Sequence, residues 1–156
     1  MIDESIFAEA ALPEGMSVLV VEPDEQMAVF YRYLLQSQRF IPVTTGTVTE
    51  AMAAIAANPE RYAAVVVDID NAEAPGWQFV QDLRQLGCSG KMPVLAVAEL
   101  IGTRAVFSQM RELCDAIILK GDFEIPRFHE QLNGIIRRSK SPDSENPLFN
   151  ATTRIM

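Results

Sequence analysis

Five short apolar runs recur along the chain: Val18–Val21, Phe40–Val43, Ala63–Val67, Val94–Ala98 and Ala116–Leu119. Each is too short for a helix and apolar at nearly every position rather than at alternate ones. Continuous hydrophobicity of this kind belongs to strands covered on both faces, as in a parallel sheet. Pro42 interrupts the second run and suits an outer strand. Segments with helical spacing separate the runs. Their apolar faces read Met27, Phe30 and Leu34; Val48, Met52, Ile55 and Ala56; Trp77, Val80 and Leu83, widened by Phe79 and Leu86; Val106, Met110 and Leu113; and Ile125, Phe128, Leu132, Ile135 and Ile136. Thr47 and Asp122 are placed to cap the second and fifth helices, and Gly102 weakens the start of the fourth. Asn58-Pro59, Gly76, Gly87 and Gly90 punctuate the connections. Five alternations of strand and helix predict an open α/β sheet with helices on both faces.

At 156 residues the chain holds one such unit. Residues 1–16 form an acidic extension and residues 140–156 a linker or tail, leaving 17–139 as the domain. Any output domain lies outside this chain. Ile6, Phe7, Leu148 and Phe149 are the flank residues able to pack on a partner or a second copy. With 13 basic against 21 acidic residues the net charge is −8, the wrong sign for gripping nucleic acid through its phosphates. No apolar run approaches the roughly 20 residues of a membrane span. The first residues carry acids where a secretory leader carries Lys or Arg, so a cytoplasmic protein is expected. Cys88, Cys114 and the single His129 have no metal or redox spacing; Cys114 reads as buried filler and Cys88 as a loop residue.

In an open α/β sheet, ligands meet the carboxyl ends of the strands. The first run is followed there by Glu22-Pro23-Asp24-Glu25, the third by Asp68-Ile69-Asp70, the fourth by Glu99 and the fifth by Lys120. With strands one and three adjacent, Glu22 and Asp68 converge and Lys120 faces them. Two carboxylates and an ammonium suit a hard divalent cation and a transferable anionic group. The chain lacks both a GxGxxG turn after a strand and a GxxxxGK[ST] loop, and an acidic first loop would repel phosphate rather than cradle it.

The segments VLVVEPDEQM, VVVDIDNAEAPG, MPVLAVAE and AIILK, in this order and spacing, resemble the receiver domain of two-component response regulators over about residues 17–138. The resemblance implies a flavodoxin-like (βα)5 fold with strand order 2-1-3-4-5. It implies that Asp68 is the phosphoacceptor, served by a histidine kinase or phosphotransfer protein, and that Lys120 pairs with the phosphoryl group. It also implies a Mg²⁺ site made by Glu22, Asp68 and the backbone carbonyl of Asp70, with Asp24 as a further ligand through water. Output would pass by protein–protein contact through the fourth-helix, fifth-strand and fifth-helix face, including homodimerisation.

Several positions depart from that pattern. Pro23 stands where a second acid is usual, Ala98 where a Ser or Thr is usual, and Ile117 where an aromatic switch residue is usual. Asn71-Ala72 and Gly121 also differ from the family's loops. These departures favour a second reading, a phosphate-independent pseudo-receiver used for dimerisation or docking. A flavodoxin-like small-molecule binder is a third reading, disfavoured by the missing phosphate loop. No enzymatic role is expected beyond phosphoryl transfer to the chain itself. Asp70 and Glu99 are expected to point to solvent, and Trp77 to pack in the core.

Overall fold

The computed structural model describes residues 15–70, 75–86, 91–99 and 104–140. Five strands, β1 (Ser17–Val21), β2 (Ile41–Thr45), β3 (Tyr62–Ile69), β4 (Val94–Ala98) and β5 (Ala116–Leu119), form one parallel sheet in the order 2-1-3-4-5. They alternate with α1 (Glu25–Ser37), α2 (Val48–Ala57), α3 (Pro75–Gln85), α4 (Arg104–Leu113) and α5 (Ile125–Ser139). This is the doubly wound flavodoxin-like fold expected from the sequence.

The pleat divides the core in two. Val18, Val20, Ala64, Val66, Leu95, Val97 and Ile118 face α1 and α5, where Tyr31, Leu34, Leu35, Phe128, Leu132 and Ile136 cover them. Leu19, Val21, Val65, Val67, Ala96 and Ala98 face the other way, under Ile55 of α2, Trp77, Val80 and Leu83 of α3, and Met110 of α4. Trp77 and Cys114 are buried, as read from the sequence.

Where boundaries differ, local chemistry explains it. β3 outruns its apolar run and includes Asp68, which pairs with Val97 of β4. β2 begins after Phe40, which turns into the core, and Pro42 does lie on an edge strand. The buried stripe of α1 is Ala28, Tyr31, Leu34 and Leu35, one position round from the expected Met27 and Phe30, which are half-buried. In α2, Ala51 is buried and Ala56 exposed; in α5, Ile125 is exposed at 44%. Thr47 caps α2 by accepting from the Glu50 N–H. Asp122 does not cap α5: it lies in a 3-10 turn, Lys120–Asp122, and Glu124 takes the cap position without a side-chain bond. Gly76 is not punctuation but part of the first turn of α3. A Cβ there would come within 2.5 Å of the Asp68 carbonyl oxygen, so only glycine lets the helix sit this close to β3. Gly87, Cys88, Gly90, Gly102, Asn71, Ala72 and the flank residues Ile6, Phe7, Leu148 and Phe149 lie outside the described residues. Among the described residues no helix is long and apolar enough to cross a membrane.

Arg84 ties α3 to the end of α4 and to the segments that lead into β4 and β5. Its guanidinium donates to the Leu113 carbonyl at 2.7 Å, the Met92 carbonyl at 2.7 Å and Asp115 Oδ2 at 3.0 Å. Asp115 in turn accepts from the Val94 N–H at 2.8 Å. Arg84→Ala strands these acceptors in a half-buried seam and is expected to destabilise the fold by about 2–3 kcal/mol. Urea unfolding of the variant checks this.

Candidate functional site

The site lies at the carboxyl edge of the sheet, and strand parity assembles it. Asp68 continues the row of Ala64 and Val66, and Lys120 that of Ile118. Glu22 continues that of Val18 and Val20, held in register by its N–H bond to the Thr45 carbonyl at 3.0 Å. All three therefore stand on the α1/α5 side of the pleat.

Asp68 is the centre, with its side chain only 4% exposed. Its Oδ1 accepts from Lys120 Nζ at 2.8 Å and its Oδ2 from the Tyr31 hydroxyl at 3.3 Å. Burial raises the Asp68 pKa above its usual value, against the opposing pull of Lys120. Lys120 also donates to Asp70 Oδ1 at 2.6 Å. Burial works to lower the Lys120 pKa, but its bonds to Asp68 and Asp70 outweigh this and hold it above the usual lysine range. The bond to Lys120 is the main reason the Asp70 pKa is lowered. Asp70 is exposed, as expected, but ion-paired rather than free in solvent. Glu99 is exposed and joins the β3 edge through its N–H to the Ile69 carbonyl at 3.1 Å.

Glu22 is 6% exposed. Its Oε1 accepts the Asp24 N–H at 3.2 Å, while its buried Oε2 has no hydrogen-bond partner. Burial first, and then the neighbouring Asp68 carboxylate, raise its pKa from 4.5 to about 7. Asp24 is engaged elsewhere, since its Oδ1 accepts from the N–H groups of Gln26 at 2.8 Å and Met27 at 3.2 Å and so caps α1. Pro23, between them, is exposed.

Asp68 and Asp70 thus share the Lys120 ammonium, and Glu22 makes no bond to it. Among the described residues no group of three or more His, Cys, Asp or Glu is arranged to hold a metal. Magnesium asks for less, using one or two carboxylates and keeping several waters. The unpartnered Glu22 Oε2 beside Asp68 fits that requirement. A hollow of about 250 Å³, lined by Val21, Pro23, Thr47, Asp68, Asp70 and Gly76 among others, opens beside the pair.

Ala98 and Ile117 lie on the opposite, α2–α4 side of the pleat, Ala98 buried and Ile117 half-buried. Neither brings a polar side chain to Asp68. Tyr31 does, although it was not among the site residues expected from the sequence. Its signal was a phenol within the apolar stripe of α1, since a buried tyrosine hydroxyl needs a partner.

This topology matches known structures. The fold is that of response-regulator receiver domains. A receiver-domain protein from Clostridium thermocellum superposes with a TM-score of 0.69 at 16% identity, covering 80% of this chain and 96% of that one. The receiver domain of a signal transduction histidine kinase from Syntrophus aciditrophicus gives 0.70 at 16% identity, covering 81% and 93%. A Francisella response-regulator receiver domain gives 0.65 at 22% identity, covering 81% and 100%. No protein-family model matches the chain, and no curated protein matches it in sequence.

The raised pKa of Glu22 fixes a pH dependence. Between its unfolded value of 4.5 and about 7, folded Glu22 keeps a proton that the unfolded chain has lost. Stability from this group is therefore full below 4.5 and lost as pH rises through about 7. Asp68, also raised, adds to the same slope. Asp70, lowered, acts only at the acid end, where its contribution disappears as pH falls below 3.8. Without metal, the unfolding free energy from urea titration should fall between about pH 5 and about pH 8, by on the order of 1–2 kcal/mol. Glu22→Gln should flatten much of that fall and raise stability at the alkaline end.

Proposed function

We propose that this protein receives a phosphoryl group from a histidine kinase or phosphotransfer protein, with Asp68 as the acceptor. The supporting observation is a buried carboxylate pinned by Lys120 at the carboxyl edge of the sheet, beside an unpartnered Glu22. One carboxylate oxygen of Asp68 attacks the phosphorus of the donor's phosphohistidine and forms an acyl phosphate. The phosphorus–nitrogen bond breaks, and the imidazole nitrogen leaves with the electron pair. Lys120 turns from the carboxylate to a phosphoryl oxygen, a charge-assisted contact that compensates the added negative charge. Asp70 competes for the same ammonium and keeps it over the site. Mg²⁺ held by Glu22, Asp68 and the Asp70 carbonyl, with Asp24 as a ligand through water, would neutralise charge on the transferring group. In that state Glu22 is ionised.

Phosphoryl transfer to Asp68 is the only chemistry in this reading, and its setting is the cytoplasm. Output passes by contact through α4, β5 and α5, to a second copy of the chain or to an output domain elsewhere. The second reading, a phosphate-independent docking module, is favoured by Ala98, which offers no hydroxyl, and by the commitment of Lys120 to two carboxylates. Incubation with acetyl phosphate and Mg²⁺, followed by intact mass, separates the two. The first reading expects one added phosphoryl group on the native chain and none on Asp68→Asn. A native chain left unlabelled under conditions that label an ordinary receiver would establish the second.

A further inference from the structure

We propose that Tyr31 carries the state of Asp68 to the α1/α5 face of the domain. The inference rests on the reading of Asp68 as phosphoacceptor but is carried by separate observations. Tyr31 is 1% exposed, and the hydrogen bond identified for its hydroxyl goes to Asp68 Oδ2 at 3.3 Å. A buried phenol without a partner bears the full desolvation cost of its hydroxyl, so it must follow whatever happens to that oxygen. The bond is longer than the usual 2.5–3.0 Å of an O–H···O contact, leaving it room to tighten or to break. Conversion of Asp68 to an acyl phosphate removes the carboxylate charge, and Oδ2 becomes either the bridging ester oxygen, a poor acceptor, or an uncharged carbonyl oxygen, a weaker acceptor than a carboxylate. The phenol then moves to a phosphoryl oxygen, is held less tightly or loses its partner.

Such a movement is not absorbed locally. The Tyr31 ring lies 5.9 Å from Phe30 and 6.1 Å from Phe128, centroid to centroid. Phe123 joins both, at 5.8 Å from Phe30 and 5.7 Å from Phe128. Close-packed rings of this kind shift together, because protein interiors are packed at near-crystalline density. Phe30 and Phe123 are only half-buried, so the cluster brings the change to the surface between α1 and the start of α5. Ala98 and Ile117 cannot share this route, since the pleat turns both to the other side of the sheet.

The test uses the full chain with ¹³C-labelled phenylalanine rings, as the native protein, Tyr31→Phe, Asp68→Asn and the double variant. Each is followed by NMR, and the two chains with Asp68 also before and after acetyl phosphate and Mg²⁺, with intact mass recording the phosphoryl group. In the native chain, both phosphorylation and Asp68→Asn should move the Phe123 and Phe128 ring signals. In the Tyr31→Phe background neither change should reach those rings, although the phosphoryl group is still added. Ring responses of the same size without the hydroxyl would overturn the proposal, because the packing alone would then transmit them. A native chain that gains no phosphoryl group removes the phosphoacceptor reading only. The Asp68→Asn comparison still decides for Tyr31 if the ring response needs the hydroxyl, and against it otherwise.

Discussion

The bond between Lys120 and Asp68 holds the carboxyl edge of this sheet together. Asp68 and Asp70 both bond the Lys120 ammonium, and Asp68 and the neighbouring Glu22 are almost wholly buried. Removing one partner of a buried pair costs about 3–5 kcal/mol, chiefly because the remaining charge is left uncompensated. Lys120 is about one quarter exposed, which brings its own share toward the lower end or below. Even so, the direction is clear. Without the ammonium, burial would act unopposed on Asp68 and raise its pKa further, and Glu22 would lose a favourable neighbouring charge. The arrangement balances only in part: one buried oxygen of Glu22 remains without a donor. That oxygen is the observation on which the proposed cation site rests.

Strand parity decides where consequences of that chemistry can travel. Glu22, Asp68 and Lys120 stand on the α1/α5 side, where the packing is aromatic and includes Tyr31. Ala98 and Ile117 stand on the other side, in the cluster that holds Tyr62, Trp77 and Phe79. Two of the residues that depart from the receiver pattern, Ala98 and Ile117, therefore share one face, while the hydroxyl that does touch Asp68 belongs to the other.

Much of the architecture was legible because strands buried on both faces leave unbroken apolar runs, and all five strands begin and end within two residues of theirs. β3 hid its last residues, because Asp68 and Ile69 stay in the ladder past the first charge. A polar residue ends an apolar run without ending the hydrogen bonding. Asp68 and Lys120 were read from their positions alone, and the structure brings them together at 2.8 Å. Asp24 illustrates the opposite case: its sequence context fits a metal ligand and a helix cap equally well, and the structure shows it capping α1. Tyr31 escaped because the stripe of α1 was centred one residue away, on Met27 and Phe30. A single step in register rotates a helix by about 100° of arc, which suffices to turn a buried phenol into an apparent flank residue.

Divalent-ion binding tests the central claim most directly, namely that Glu22 and Asp68 form a site awaiting a positive charge. Calorimetric titration of the native chain with Mg²⁺ near neutral pH, in buffers of different ionisation enthalpy, measures both the stoichiometry and the protons released. One ion per chain is predicted, with proton release as Glu22 gives up the proton that its raised pKa retains. Binding should weaken in Glu22→Gln and disappear in Asp68→Asn. Absence of saturable binding, or equal binding by the native chain and Asp68→Asn, would contradict the account.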